Sequence, residues 1–464
     1  MTRPRLSRAT MGALPADVAR GDYDRAAQRQ GIVHLGIGAF HRAHQAVYTD
    51  LAMDAGDRNW AITGVSLRSA QVRDQLAPQE GLYTVAVRQP DADTIRLIGA
   101  VTDVIVAPAD PARASAAMAD PDTRIVTITV TEKGYARGPE GEFDAAALAP
   151  DAQTLYRYLG QAVIDRHDAG LGPLTLIRCD NLSHNGALLQ AGLSAYLDRV
   201  SPRHRRWFDD NWACPATMVD RIVPATTPAD LDSAAARIGL RDEAAVVTEP
   251  YRQWVIEDRF AGPRPRWDIA GAQFVDDVRP FETAKLRMLN GGHSALAYLG
   301  LASGHQFVHE AVADLAIRPL VERLMRDEAA ASIPNFDQDL DAYADQMLAR
   351  FGNAALPHRL SQIAMDGSQK IGPRWLEAIA ENNRNGRESP MTLNALAGWL
   401  TYTAKFGSSL ADPLAKELAE SWKYAGVSGI TDTMFSSGGL VSQGASLSVQ
   451  QRNAIRDQLS SELK

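Results

Sequence analysis

The chain has 464 residues, 45% hydrophobic and 22% charged, with a formal net charge of −8 and only two cysteines, Cys179 and Cys214. Such a length suits two or three domains whose cores need neither disulfides nor a structural metal. The acidic balance argues against nucleic acid as a partner, and two isolated cysteines outside any C-x-x-C pair suit a reducing compartment better than a disulfide framework or a zinc site.

Residues 1–30 are mixed and polar, with Pro4 and Pro15, and are expected to form an arm packed on the body. They hold no continuous apolar run of the signal-peptide kind. No stretch of about 18 apolar residues exists to span a membrane, so a cytoplasmic enzyme with no membrane partner is expected. Order begins with Ile32-Val33-His34-Leu35, a buried strand running into Gly36-Ile37-Gly38-Ala39, followed by a helical pattern from about Arg42 to Ala55. Trp60 to Val65 reads as a second strand, and a polar helix follows around 71–79. Further strands are expected near 82–88, 95–101 and 104–107. The β-branched run 124–130 is the strongest strand signal, and Leu174 to Ile177 gives another. Arg203-His204-Arg205-Arg206, with Asp209 and Asp210 close behind, reads as a solvated helix end.

Strands alternating with helices predict a mostly parallel, helix-covered sheet, so the fold class is α/β with an N-terminal Rossmann-type doubly wound domain over 1–280. After about Phe281 the texture changes. The runs 283–302, 308–328, 337–351, 372–384, 390–405, 411–425 and 447–463 carry helical spacing. They predict a predominantly α-helical C-terminal domain over 281–464.

Gly36-x-Gly38-x-Phe40 follows the first strand and opens a helix, as a dinucleotide-binding turn requires. It nominates Gly36, Ile37, Gly38, Ala39, Phe40 and Arg42 as cofactor-binding residues, against the alternative of a plain strand–helix turn. The third glycine of the fingerprint is replaced by His41. His41 and His44 share a helix face, but no acid or third ligand stands near and Arg42 lies between them, so no metal is expected. The second strand ends in Gly64-Val65-Ser66-Leu67-Arg68-Ser69-Ala70-Gln71, without the acid that grips the ribose of NAD. Arg68 and Ser69 equally suit the 2′-phosphate of NADP, which leaves the two cofactors open.

The most informative stretch is Glu282 to His293. On an ideal helix Lys285, His293 and Asn290 fall at roughly 0°, 80° and 140°, within one hemisphere. Ketone–alcohol interconversion needs a group that moves the hydroxyl proton and donors that hold the developing oxyanion. A lysine whose pKa is lowered by burial or by neighbouring cations can be the base, and Asn290 and His293 can donate. A surface lysine and a turn asparagine would read the same way from spacing alone. A second polar cluster, Arg178 to Gly186, follows an apolar strand, where Asn181 would donate to a substrate oxygen or cap the next helix. A third is Met218-Val219-Asp220-Arg221-Ile222-Val223-Pro224, and a fourth runs from Gln362 to Lys370.

In combination these residues resemble the long-chain polyol dehydrogenases, the family of mannitol 2-dehydrogenase and D-mannonate oxidoreductase (fructuronate reductase). The resemblance rests on Ile32 through Ala46, Thr129-Val130-Thr131-Glu132-Lys133-Gly134-Tyr135, Asp180 through Gly186, Met218 through Ile222, Lys285 through His293, and Asp366-Gly367-Ser368-Gln369-Lys370. It implies a Rossmann-type domain, a helical second domain and a zinc-free site in the cleft between them. By that likeness Lys285 is the general base, Asn181 and Asn290 stabilise the oxyanion, and His293 positions the substrate. Asp220 supports the site, Lys370 contacts substrate hydroxyls or a carboxylate, and Glu282 links the base to solvent protons. Arg68, Thr131 and Glu132 join the cofactor-binding set. NAD is implied, with NADP not excluded, and a monomer would match the family.

Two departures bear on the substrate. An acidic pair of the mannitol branch is replaced by Ala70-Gln71, and an arginine of that branch by Gln362. The run His358-Arg359 through Lys370 is nearer the mannonate branch, so a sugar acid such as D-mannonate or D-fructuronate is the expected substrate, with Lys370 and Arg359 neutralising its carboxylate. Mannitol or an arabinitol-type polyol is the alternative within the class. A nucleotide-binding protein without catalysis is the alternative outside it.

Overall fold

Aliphatic runs without polar alternation form strands that must be covered on both faces. In the computed structural model, described for residues 3–130, 143–182, 184–334, 338–442 and 445–463, the chain divides into two compact units, Met1–Arg279 and Pro280–Lys464. The first unit contains β1 (Gln30–Leu35), β2 (Ala61–Ser66), β3 (Tyr83–Val87), β4 (Thr94–Ile98), β5 (Val101–Val106), β6 (Ile125–Ile128), β7 (Thr175–Arg178), β8 (Thr217–Asp220), β9 (Val246–Thr248), β10 (Gln253–Glu257) and β11 (Gln273–Val275). Its central sheet has the order β5-β2-β1-β6-β7, and every neighbouring pair is parallel. This is the Rossmann arrangement: the chain starts in the middle, builds outward one way, then returns to build the other way. The reversal falls between β1 and β6.

Side chains alternate across each strand into two cores. Ile32, Ile125 and Ile177 feed one face, which the helix Gln45–Asp54 covers through Ala46, Val47 and Tyr48 together with Trp254 and Trp267. Val33, Leu35, Val126, Ile128 and Leu176 feed the other, covered by the helices Pro111–Ala119, Leu155–Asp168 and Asn185–Val200. Each fully buried aliphatic side chain contributes about 1.5–3 kcal/mol by leaving water.

Two small sheets, β11-β10-β8 and β4-β3-β9, accompany the central one. The expected strands near 82–88 and 95–101 exist, but they pair antiparallel with each other as β3 and β4 instead of joining the parallel sheet. β8, β9 and β11 have only three or four residues, too few for alternation to register in sequence. The N-terminal arm packs on the body: Leu6 N–H donates to the Arg241 carbonyl at 2.9 Å, and Leu6 and Val18 are buried.

The second unit is helical. Gly291–Ala302, Leu340–Phe351, Pro390–Phe406 and Val449–Glu462 are its long helices, and Ala415–Phe435 is two helices meeting at a kink at Gly426, with Tyr298, Trp375, Trp399 and Phe435 fully buried. Three turns, Lys285–Asn290, Leu324–Ala329 and Gly372–Leu376, are wound as π-helix. The first packs against both others. Pro373 gives the third its cause, because a proline inside a helix has no N–H for the preceding turn. No described helix is long and apolar enough to cross a membrane.

Candidate active site

The carboxyl end of β1 makes the turn at the sheet's reversal point. Gly36 adopts φ +96°, and a Cβ there would sit 2.0 Å from the Thr129 carbonyl oxygen that follows β6. Only glycine fits. Gly36 N–H donates to the Val65 carbonyl at 2.8 Å, and Gly38 N–H donates to the Gly36 carbonyl at 2.6 Å. Gly38 is exposed, and a Cβ on it would meet only the Gly36 oxygen at 3.8 Å. The space above Gly38 is an open cradle of the kind a pyrophosphate fills, and the first N–H groups of the following helix Ala39–Ala43 have no acceptor within that helix. Gly36, Ile37, Gly38, Ala39 and Phe40 therefore fit a dinucleotide.

Three buried histidines support this turn from below. His34, on β1, faces the Thr127 hydroxyl at 2.7 Å and the Thr129 hydroxyl at 2.9 Å, while Thr129 donates to the Gly36 carbonyl at 2.7 Å. His41 stacks on His34 with ring centroids 3.4 Å apart. The third glycine of the usual fingerprint lets helix and strand approach closely; here two flat neutral rings do so. Burial pushes His34 and His44 down to about 3, and His41 well below its ordinary value. Both nitrogens of His44 are engaged: Nε2 faces the Gln253 carbonyl at 2.9 Å and Nδ1 faces Gln45.

The helix expected from Arg42 to Ala55 is broken at His44 (φ −123°, ψ −88°) into Ala39–Ala43 and Gln45–Asp54. Side chains take the carbonyls that a continuous helix would use. Tyr83 Oη donates to the Arg42 carbonyl at 2.8 Å, and Arg221 Nη1 donates to that of Ala43. Arg42 is buried and donates to the Ala244 and Gly38 carbonyls, bracing the turn from behind. Arg68 is exposed just beyond β2, where the Ser66 hydroxyl donates to the Ser69 carbonyl at 2.6 Å. Thr131 and Glu132 lie outside the described residues.

Asn181 stands exposed on the bend after β7. The next helix starts at Asn185 behind His184 with no side-chain cap, so Asn181 is not its cap. Clamps hold both sides of the bend: Arg178 pairs with Asp180 at 2.8 Å, and Asn185 Nδ2 donates to the Thr217 carbonyl at 2.8 Å. Asp220 ends β8 and is buried. Arg221 beside it is structural, donating to the Glu249 carbonyl from Nη2 at 2.8 Å.

In the second unit the α-helical projection of Lys285, Asn290 and His293 needs correction. Lys285–Asn290 is wound i→i+5, with Gly291 N–H reaching back to Leu286. The wider π winding turns each residue through a smaller angle than an α-helix, so Lys285 and Asn290 lie closer to one side than the roughly 140° of the α-helical projection. Lys285, Glu282 and His293 are half-buried. The turn is held by its neighbours: Arg374 Nη1 donates to the Asn290 carbonyl at 3.1 Å and the Ser294 hydroxyl at 2.7 Å, Trp375 Nε1 donates to the Gly291 carbonyl at 3.2 Å, and Arg287 Nη1 donates to the Ser332 carbonyl at 2.7 Å. His293 packs on Phe351 with centroids 4.4 Å apart and meets His358 edge-on at 5.6 Å. Its pKa is pushed far down, first by burial and then by the charges of His358, Arg350 and Arg374.

Lys370 donates to the carbonyls of Met365 and Ile363, and burial lowers its pKa. Arg359 is exposed, with its guanidinium 5.1 Å from the Phe307 ring centre, and Gln362 is exposed. The sequence reading missed Arg374. Its signal was present, four residues after Lys370 and thus on the same helical side. Among the described residues, one group of metal-competent side chains gathers, His167, Asp168 and His204. It forms an ion-paired helix junction: Arg203 clamps both Asp168 oxygens at 2.9 and 3.1 Å, and His204 Nδ1 faces the Ser201 hydroxyl at 2.6 Å. The basic run 203–206 therefore includes a buried histidine and is only partly a solvated helix end.

A parallel sheet with a glycine turn at its reversal point, followed by a helical unit, is an architecture that suits a nicotinamide-dependent dehydrogenase, and the family matches make it one that acts on a CH–OH group. Residues 30–269 match the mannitol dehydrogenase Rossmann domain and residues 277–433 the mannitol dehydrogenase C-terminal domain; the chain belongs to the mannitol dehydrogenase family. It is 40% identical to the D-mannonate oxidoreductase of Escherichia coli over 400 residues, 83% of this chain and 82% of that one. It is 36% identical to the mannitol 2-dehydrogenase of Phaeosphaeria nodorum, covering 85% of this chain and 73% of the relative. The structure of Pseudomonas fluorescens mannitol 2-dehydrogenase in complex with NAD and D-mannitol superposes with a TM-score of 0.79 at 32% identity, covering 98% of this chain and 96% of that one.

Proposed function

We propose that the protein interconverts an open-chain sugar acid and its keto form, D-mannonate and D-fructuronate, with NAD and without a metal. The choice of an acid is supported by the basic groups that act on His293, the guanidiniums of Arg350 and Arg374. A carboxylate substrate gains from such a field, and a neutral polyol gains nothing from it. The 40% identity to a D-mannonate oxidoreductase supports the same choice.

The roles are those the family likeness implies, and each suits the chemistry of its group. Gly36, Ile37, Gly38, Ala39, Phe40, Thr131 and Glu132 hold the dinucleotide, with Arg42 bracing the turn and Arg68 beside the ribose. The nicotinamide, when bound, accepts the hydride from the carbinol carbon or returns it. Lys285 takes the hydroxyl proton as the carbonyl forms, and Glu282 passes that proton to water. Asn181 and Asn290 donate N–H groups to the oxygen while it bears negative charge. Neutral His293 orients the adjoining hydroxyl, Asp220 and Gln362 fix the chain of hydroxyls, and Lys370 and Arg359 supply positive charge for the carboxylate. For reduction, Lys285 starts protonated and returns the proton.

The test is NADH oxidation followed at 340 nm with D-fructuronate and D-fructose, and NAD reduction with D-mannonate and D-mannitol, before and after chelator treatment. The reading requires turnover of the acids and insensitivity to the chelator. Turnover of fructose and mannitol alone would move the protein to the polyol branch, and loss on chelation would bring in a metal.

A further inference from the structure

Arginines buried without a carboxylate are costly, because a desolvated guanidinium must find acceptors for its N–H groups. In this chain such arginines meet that demand with backbone carbonyls. Arg42 uses Nε and Nη1, Arg166 uses Nε and Nη1, and Arg221 uses Nε, Nη1 and Nη2. Arg374 does not follow the pattern. Its Nη1 donates to the Asn290 carbonyl and the Ser294 hydroxyl. Among the described residues its Nε and Nη2 have no hydrogen bond or ion pair, and neither is sealed from solvent.

Arg374 is thus a half-buried guanidinium fixed at one nitrogen and open along its other edge. The edge formed by Nε and Nη2 matches a carboxylate in two parallel N–H···O bonds. Its place is defined by the nitrogen already bonded, at Asn290, the residue assigned to the reacting oxygen. Lys370, on whose pKa Arg374 acts, already directs its amine to two carbonyls and adds a point charge without a fork. Burial pulls Arg374 down to about 10, and it still carries its charge at neutral pH.

We infer that Arg374 is the residue that grips the substrate carboxylate, and so sets the preference for a sugar acid over a neutral polyol. This rests on the proposed function and names the contact within it that selects the acid. The side chain has two functions on separate nitrogens: Nη1 holds Asn290 in its π turn, and the opposite edge receives the acid.

The experiment compares the wild-type chain with Arg374→Met and Arg374→Lys, measuring kcat/KM for D-fructuronate and for D-fructose and titrating D-mannonate calorimetrically into the NADH-loaded protein. Arg374→Met should lower both activities, since Asn290 loses a support. The ratio of acid to neutral kcat/KM should fall about a hundredfold, mostly through KM, and the D-mannonate signal should vanish. Arg374→Lys, which keeps charge but not the fork, should fall in between, and thermal melting of both variants checks folding. If the wild type turns over the acid and Arg374→Met keeps the wild-type ratio, Arg374 only positions Asn290 and the inference is overturned. A wild type that turns over the neutral sugar but neither binds nor reduces the acid overturns the proposed function and this inference with it.

Discussion

The glycine turn after β1 and the π turn at Lys285–Asn290 are both short backbone devices, stabilised by different balances of neutral and charged groups. The first rests mostly on neutral parts, a glycine at φ +96°, hydroxyls, and imidazoles that burial keeps uncharged, with the single Arg42 guanidinium bracing the Gly38 carbonyl. The second rests on cations, with Arg374 donating to Asn290 and Arg287 to Ser332. The difference teaches what each turn is suited to receive. A turn supported mostly by neutral groups leaves its own N–H dipoles as the main local attraction for an anion. A turn supported by guanidiniums sits in a positive field, which lowers the affinity of a neighbouring amine for its proton and favours a bound carboxylate.

The largest expected effect breaks the comparison on the cationic side. Lys285→Ala should lower kcat by roughly 10³- to 10⁴-fold, while NADH still quenches tryptophan fluorescence with near wild-type affinity. Near-normal turnover would remove the amine from the mechanism. On the neutral side, two glycine substitutions should separate folding from binding. Gly36→Ala forces a side chain into a left-handed backbone and against the Thr129 carbonyl, so the melting temperature should fall by about 5 °C or more. Gly38→Ala meets only the Gly36 oxygen at 3.8 Å, so melting should be unchanged. Its NADH dissociation constant should nonetheless rise at least about tenfold, the equivalent of about 1.4 kcal/mol. Unchanged binding in Gly38→Ala would mean that the cradle holds no phosphate.

Acid should expose the neutral histidines. In the folded chain His34 and His44 titrate near 3, against 6.5 when unfolded. Between those values the unfolded state binds more protons, so stability falls as pH drops from 6.5 towards 3. At pH 5 each should have lost about 2 kcal/mol relative to pH 7.5, with His41 adding in the same direction. Urea melts at the two pH values check this, and equal stabilities would mean the rings are not held neutral. The smallest effect is expected at exposed Arg68. Arg68→Ala should change the NADP-to-NAD ratio of kcat/KM only about two- to fivefold, and a larger change would identify Arg68 as the main cofactor selector.

Much of the first unit was legible in the residues. Ile32 to Leu35 and Ile125 to Ile128 are continuous apolar runs, and such runs are strands covered on both faces. The helical spacing after 281 was equally plain. β8, β9 and β11 were not, because three or four residues hold too little pattern. The interruption at His44 was hidden as well, since its cause is the pair of partners Tyr83 and Arg221, distant in sequence, taking the carbonyls of Arg42 and Ala43. In the second unit Lys285, Asn290 and His293 were nominated as a set on one hemisphere, and only the angle between Lys285 and Asn290 changes, because π winding leaves no periodic mark. Arg374 escaped because an arginine four residues after a lysine is most often a solvated pair.

By itself the sequence determined the class of fold, the position of the glycine turn and the identity of the polar residues around Lys285. These follow from local rules: side-chain period, the φ that glycine alone tolerates, and the chemistry of single groups. Tertiary structure alone decided how closely Lys285 and Asn290 align on their helix, which histidines are neutral, and which arginine keeps an edge open. Each of those depends on what distant chain segments bury or bond, and burial energy and hydrogen-bond satisfaction are set by neighbours in space.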